Sequence, residues 1–498
     1  MSSIPPITPA ATTRTTSPPS KEGTITTAKG EGDPAVILIS CYELGRQPLS
    51  IAVPLAHLHA AGVSARPVDL AQEKLTPGAL GEPRLIAIAT PMHTALRLGV
   101  AAARRLRAAH PRASICFFGL YAGLNASYLF TEELADTVIT GEVEEPLTRL
   151  AEALLAGHGS TGLPGVLTPG ADTPASLRRP RRWQIPRRQE LPPLDRYVHL
   201  RHGPRLTPAA AVEASRGCLH VCRHCPLTPV YKGRFLAIPV ETVLQDVAAV
   251  VAAGAGHISF ADPDFLNGPT HALRVTQAVH ARFPDLTLDF TAKVEHLVNH
   301  ADLLPRLAEC GALFVVSAVE SLNNRVLIHL DKGHDRADVG RALAAVRRAG
   351  MVLRPTLIPF TPWSAATDYQ DLLCWLGDED LAEAVDPVQM SIRLLVPPGS
   401  PLATFPAMTP FLNGLAAGDF SWRWRHPDAR MDRLQKRVCE VVAAAAEGDD
   451  APHQVHRRIA RAAAEILGQG RTAAALAGLA EPPRHQDGWP RLTEPWFC

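Results

Sequence analysis

The chain has 498 residues, 46% hydrophobic and 20% charged, an apolar content sufficient to bury the cores of two or three soluble domains. Its formal net charge is +1, without the basic imbalance of a dedicated nucleic-acid or membrane-surface protein, so neither partner is expected and a small-molecule substrate fits better. Nine cysteines, three of them in one short loop and the others scattered singly, make no disulfide framework and point to a reducing cytoplasm.

No uninterrupted apolar run of about 18 residues occurs, so no transmembrane helix is predicted, and the N-terminus lacks a secretory h-region. Residues 1–33 are rich in Ser, Thr and Pro and are read as a disordered leader, short of the apolar side chains whose burial offsets ordering entropy. From Pro34 short apolar runs alternate with amphipathic helices: strands at 35–40, 84–90, 114–119 and 137–142, helices at 48–62 and 94–109. This alternation predicts a parallel sheet covered on both faces, a doubly wound, Rossmann-like α/β domain over 34–155. Residues 156–200 are Gly/Pro-rich and then basic, with Arg178, Arg179, Arg181, Arg182, Arg187 and Arg188 around Trp183, and read as a solvated linker.

Over 201–401 a second alternation places strands at 210–215, 257–261, 286–291, 313–319, 352–358 and 388–395, separated by Ala- and Leu-rich helices such as 240–253 and 336–349. Each of those two helices runs into a closing glycine. Residues 402–498 turn aromatic around Phe420-Ser421-Trp422-Arg423-Trp424-Arg425-His426 and then helical to about 478, a helical C-terminal extension.

The most informative stretch is 211–235, where Cys218, Cys222 and Cys225 stand in a C-x3-C-x2-C spacing. Four thiolates would close the tetrahedral shell of a structural zinc, whereas three on a [4Fe–4S] cluster leave one iron open to an exogenous ligand. His220 and His224 keep a rival open, a Cys3His zinc site in a non-catalytic scaffold.

The spacing, with the run Val212-Glu213-Ala214-Ser215-Arg216-Gly217 before it, resembles the radical S-adenosylmethionine (SAM) superfamily. The resemblance implies a partial (β/α)6 barrel, a [4Fe–4S] cluster on the three cysteines and SAM on the open iron. It also implies reductive SAM cleavage to a 5′-deoxyadenosyl radical, fed by a reductant such as flavodoxin or ferredoxin. His224 departs from the family, which usually has an aromatic residue before the third cysteine.

In α/β barrels the reacting groups gather at the carboxyl ends of strands. There the resemblance implies cofactor-binding roles: Asp262 of Phe260-Ala261-Asp262-Pro263-Asp264 toward the SAM ammonium, with Asp264 a weaker choice, and Lys293 toward its carboxylate. Glu320 would bind the ribose hydroxyls or the amino end, supported by Ser321, ahead of the lysine–glycine of Leu330-Asp331-Lys332-Gly333. Arg393 suits the SAM carboxylate through a bidentate fork. Each has a plainer reading: an Asx turn for Asp262, a rim charge for Lys293, a helix cap for Glu320-Ser321, a salt bridge for Arg393.

Residues 34–155 resemble the cobalamin-binding-like module that precedes many radical SAM cores, through FFGLYAG (117–123) and VITGEVEEPL (138–147). The cobalt-ligating D-x-H-x-x-G is absent, its place taken by Cys41-Tyr42-Glu43-Leu44-Gly45, so a cobalamin site and a vestigial or substrate-docking domain both stand. The ending Leu492-Thr493-Glu494-Pro495-Trp496-Phe497-Cys498 resembles the approach to the Cys-Cys-Ala-Glu-Pro or Cys-selenocysteine-Ala-Glu-Pro tail of one radical SAM group. Truncation at a selenocysteine codon after Cys498 is expected from it, and Cys498 is the one catalytic candidate. Three functions follow: a radical SAM enzyme acting on a small molecule, with a soft metal or metalloid species as a variant; a cobalamin-dependent radical SAM methyltransferase; and the zinc scaffold.

Overall fold

The computed structural model describes residues 33–170, 182–446, 448, 450–479 and 489–494. Residues 1–32 of the leader, Arg178, Arg179, Arg181 and Cys498 lie outside these residues.

Val36–Ser40 (β1), Ala65–Asp69 (β2), Leu85–Ala89 (β3), Ser114–Phe118 (β4) and Thr137–Ile139 (β5) pair in parallel in the order β2-β1-β3-β4-β5. Val166–Leu167 (β6) closes the edge antiparallel to β5. β1 and β3 read as continuous apolar runs because both faces are covered: Ile37 and Ile39 enter one core, Val36 and Leu38 the other. Helices Leu49–Ala60, His93–Ala109 and Glu144–Leu155 supply the covering faces. The strand order reverses between β1 and β3, the point at which open α/β sheets form a crevice beyond their carboxyl ends.

The second sheet is built from His199–His202 (β7) and Arg205–Val212 (β8), then, after a short ribbon of Ser215–Gly217 (β9) and Phe235–Ala237 (β10), from four further parallel strands. These are His257–Phe260 (β11), Thr287–Thr291 (β12), Ala312–Glu320 (β13) and Val352–Leu357 (β14). Leu412–Ala416 (β15) and Ser421–Trp424 (β16) form a separate hairpin, and Arg491–Leu492 (β17) returns antiparallel to β7. The order β14-β13-β12-β11-β8-β7-β17 curls into a half-barrel of radical SAM type, with a helical C-terminal region.

Three local expectations change. The strand expected at 210–215 is divided: β8 ends at Val212, and Ser215–Gly217 turns away to pair with β10. The strand expected at 388–395 is a 3-10 turn over Pro387–Ser391 followed by one parallel bridge between Phe360 and Arg393. Pro387 has no N–H to give a ladder, and Ser391 Oγ donates back to the Val388 carbonyl at 2.7 Å, which favours the turn. The expected linker is anchored: Arg188 is buried, forks onto Asp246 at 2.7 and 2.8 Å and donates to the Ala211 carbonyl at 2.6 Å.

Helices Ala429–Ala446, Pro452–Leu467 and Gly470–Gly478 share the half-barrel's apolar core, to which Met431, Leu434, Val438, Val455 and Ile459 contribute. Among the described residues no helix is long and apolar enough to cross a membrane.

Candidate active site

The cysteine loop leaves the barrel between β9 and β10, and the backbone geometry there demands glycine. Gly217 has φ +75°, and a Cβ on it would lie 2.3 Å from the Arg234 carbonyl oxygen. Neighbouring strand ends hold the loop. Asp262, just beyond β11, accepts the Ala214 N–H at 2.8 Å and the Ser215 hydroxyl. Asn267 Oδ1 accepts the Leu219 N–H at 3.2 Å and lies 3.7 Å from Cys218 Sγ. Beyond β13 the Leu330 carbonyl accepts the Arg223 N–H at 3.0 Å, and the Arg223 guanidinium donates to the Ile328 and His329 carbonyls at 3.1 Å each.

Cys222 is buried and Cys218 and Cys225 are half-buried. Burial pushes the Cys218 thiol up and the Cys225 thiol up to about 12, so loss of their protons is tied to capture by a metal. The His220 N–H donates to Cys218 Sγ at 3.4 Å, a bond that strengthens when the sulfur carries charge. Among the described residues, His220, Asp264 and His296 are the one set of three His, Cys, Asp or Glu whose ligand atoms lie within 4.8 Å of one another. The three thiols are not such a set. Both candidate fourth ligands also face elsewhere, His220 toward His296 and His224 toward Glu320. With neither histidine turned toward them, the three thiols suit a cluster that leaves one iron open better than a Cys3His zinc site.

Glu320 is the best-developed carboxylate at the barrel mouth. The β13–β14 register slips between Ala318 and Glu320, and Glu320 takes φ +63°, a left-handed conformation that costs a non-glycine residue about 1–3 kcal/mol. Its Oε1 is 3.1 Å from Lys332 Nζ and 3.2 Å from His224 Nε2. Burial alone would raise this carboxyl, but Lys332 and His224 outweigh it and hold the group down at about 2. Lys332 is itself buried. Glu320 and the charge of the Cys222 and Cys225 thiolates hold its pKa above the ordinary lysine value against that burial. The His224 departure thus has a physical account: its imidazole joins the cysteine loop to Glu320, which an aromatic hydrocarbon could not do.

The other expected residues are placed as follows. Asp262 spends both oxygens on the loop, and burial pushes its carboxyl up to about 7 despite the Ser215 bond. Lys293 is buried and donates to Glu295 at 3.2 Å. Ser321 Oγ accepts the Asn323 N–H at 3.0 Å, shaping the turn beyond Glu320 without touching its carboxylate. Arg393 binds Asp432 and the Trp424 carbonyl, both at 2.7 Å, with its guanidinium carbon 3.5 Å from the Trp424 ring centre. Arg393 is thus held by a salt bridge to the C-terminal extension, and not by one within the barrel.

Sequence reasoning missed Lys332, although its lysine–glycine run was visible, and missed Arg216. Arg216 donates to Glu142 at 2.9 Å, to Glu213 at 3.0 Å and to Glu144, and Tyr231 donates to Glu142 at 2.8 Å. This buried network joins the two sheets beside a cavity of about 360 Å3. The cavity is walled by the carboxyl ends of both: Thr90, Gly119 and Gly141 on one side, Glu213, Arg216 and Ala261 on the other. A smaller cavity of about 230 Å3 inside the half-barrel reaches Leu492 and Glu494, and Arg46, which Glu494 binds, lines both.

The sequence profile described as the Radical SAM superfamily matches residues 212–372. No curated protein sequence matches the chain. Solved structures share the fold, among them the two that follow. The radical S-adenosylmethionine methyltransferase TsrM from Kitasatospora setae, with tryptophan substrate and a SAM analogue bound, is 17% identical over 74% of each chain with a TM-score of 0.56. The cobalamin-dependent S-adenosylmethionine radical enzyme OxsB, with aqua-cobalamin bound, is 14% identical over 89% of this chain and 72% of that one, with a TM-score of 0.65. The three-thiol loop, the charged strand ends and the profile match converge: this chain is an enzyme built on a radical SAM domain.

Proposed function

We propose that the chain holds a [4Fe–4S] cluster on Cys218, Cys222 and Cys225, binds SAM at its open iron and acts on a small molecule in the cavity between the two sheets. The observation that carries this reading is the joining of the thiol loop to the buried Glu320–Lys332 pair at one barrel mouth, with His224 of the loop 3.2 Å and Lys332 3.1 Å from Glu320 Oε1. When bound, the cluster supplies the electron that breaks a C–S bond of SAM.

The chain's own groups prepare that site. Lys332 offsets thiolate charge, which otherwise accumulates in a poorly solvated loop. Glu320 receives Lys332 and His224 on Oε1, which leaves Oε2 to accept a SAM hydroxyl or ammonium. Asp262 acts through the loop, fixing Ala214 and Ser215 where the strand gives way to the cysteines. The cavity volume of about 360 Å3 is in the range of small-molecule sites. The test is anaerobic assembly of the full chain followed by reduction with SAM. Release of 5′-deoxyadenosine that disappears in Cys222→Ala supports the proposal, and equal release from the variant removes it.

A second reading, a cobalamin-dependent methyltransferase, is favoured by the position of the cavity at the switch point of a doubly wound sheet. It also draws support from the cobalamin bound in TsrM and OxsB structures of like fold. The loop 41–45 offers no imidazole, and Glu43 there is held by Ser50, so a corrin would sit without a protein histidine from that loop. Purification after growth with cobalamin decides between the readings, since a corrin spectrum that tracks the protein supports the second one.

A further inference from the structure

We infer that His220, His296 and Asp264 form a binding site for a divalent first-row cation of the zinc or ferrous type, separate from the cysteine cluster. One ligand atom from each residue lies within 4.8 Å of the others. His296 Nδ1 is 2.8 Å from Asp264 Oδ2 and is the nitrogen that faces a shared cation; His220, which approaches the opposite nitrogen of that ring at 3.1 Å, supplies its own ligand atom within the 4.8 Å of the set. Asp264 Oδ2 and His296 Nδ1 are both buried, yet neither has a hydrogen-bond partner, because at 2.8 Å their directions do not meet. Two buried lone pairs side by side suit a cation that accepts from both.

The charges around the site favour the same occupant. Asp264 contributes one negative charge, and Glu295, with Oε2 3.7 Å from His220 Nδ1, contributes a second. Lys293, 3.2 Å from Glu295, offsets one of these two charges. Two imidazoles and one carboxylate form a borderline donor set that suits zinc, cobalt or ferrous ions and leaves coordination positions for water. The three ligands come from the cysteine loop, the loop after β11 and helix Val294–Asn299 after β12, so a cation here would clip the cysteine loop to two strand ends.

The test uses the full chain with its cluster assembled anaerobically, so that the cysteines are occupied, then stripped of loose metal and titrated with zinc. Zinc and iron are counted together by mass spectrometry. One zinc per chain is expected beside unchanged iron, with zinc lost in His296→Ala and its affinity reduced at least about tenfold in Asp264→Asn while iron stays constant. Absorption-edge spectroscopy of the zinc-loaded wild type gives a readout independent of how the variants fold: nitrogen and oxygen neighbours support the site. Sulfur neighbours, zinc retained by both variants, or no zinc beyond background would overturn it.

Discussion

The two sheets meet carboxyl end to carboxyl end across one cavity, yet their rims are made of different materials. The rim of the N-terminal sheet brings backbone to the cavity at Thr90, Pro91, Gly119 and Gly141, and its carboxylates Glu142 and Glu144 are taken up by Arg216. Gly119 has φ +105°, and a Cβ on it would lie 3.0 Å from the Thr90 carbonyl. The barrel rim is built from side chains: Asp262 accepts the Ala214 N–H, Lys293 donates to Glu295 and Lys332 donates to Glu320, beside the thiol loop. The contrast separates a surface shaped to admit a ligand from a surface that holds charge for chemistry. It also implies opposite fragilities, since the first rim is damaged by adding atoms and the second by removing them.

The largest effect is expected at the cysteines. Replacing Cys218, Cys222 or Cys225 by Ala should abolish iron retention and SAM cleavage while far-ultraviolet circular dichroism stays unchanged, because the parallel strands do not depend on the loop. Next comes Lys332→Met, which strips the buried Glu320 charge of its cation and leaves it only the His224 contact, at a cost of about 3–5 kcal/mol in denaturant unfolding. Adding Glu320→Gln should recover most of that loss, since the penalty belongs to the stranded charge. A double variant no more stable than Lys332→Met would show that the pair does not act as a unit.

Asp262 gives a signed test in pH. Burial raises its folded-state pKa to about 7, above its value near 4 in an unfolded chain. Its contribution to stability is therefore complete below pH about 4 and is lost as pH rises through about 7. Asp262→Asn should flatten the fall in unfolding free energy over that interval, measured against wild type in urea. Glu320, held at about 2, has the opposite sign: its contribution is present above pH about 4.5 and is lost only as pH falls toward 2. The smallest effect is expected on the other rim, where Gly119→Ala should cost about 1–3 kcal/mol from its positive φ and close carbonyl. Thr90→Ala on the same rim should cost less than Lys332→Met, since Thr90 is satisfied by one bond, from its hydroxyl to the Phe118 carbonyl.

Much of the fold was legible because its strands are buried on both faces and read as unbroken apolar runs. Val36–Ser40 and Leu85–Ala89 were found for that reason. The segment at 388–395 has apolar residues at five of its eight positions, but Pro387 and the Ser391 back-bond turned its start into a 3-10 turn, an outcome that hydrophobic pattern does not encode. The cysteine spacing exposed the centre of the site, since three thiols in eight residues have few structural uses. Its second layer was hidden. His224 pairs with Glu320 across 96 positions and Arg216 with Glu142 across 74, and no local spacing signals contacts formed by two folded sheets. Arg393 illustrates the converse: its residue type suited a carboxylate ligand, yet Asp432 and Trp424 from the extension occupy it.

The central claim is that the three thiols hold a cluster with one iron open to SAM. Electron paramagnetic resonance of the reduced full-length protein, recorded with and without SAM, tests it directly. A [4Fe–4S] signal whose shape changes on SAM addition, and which is missing from Cys222→Ala, is the predicted result. A signal indifferent to SAM, or one that persists without Cys222, would contradict the account.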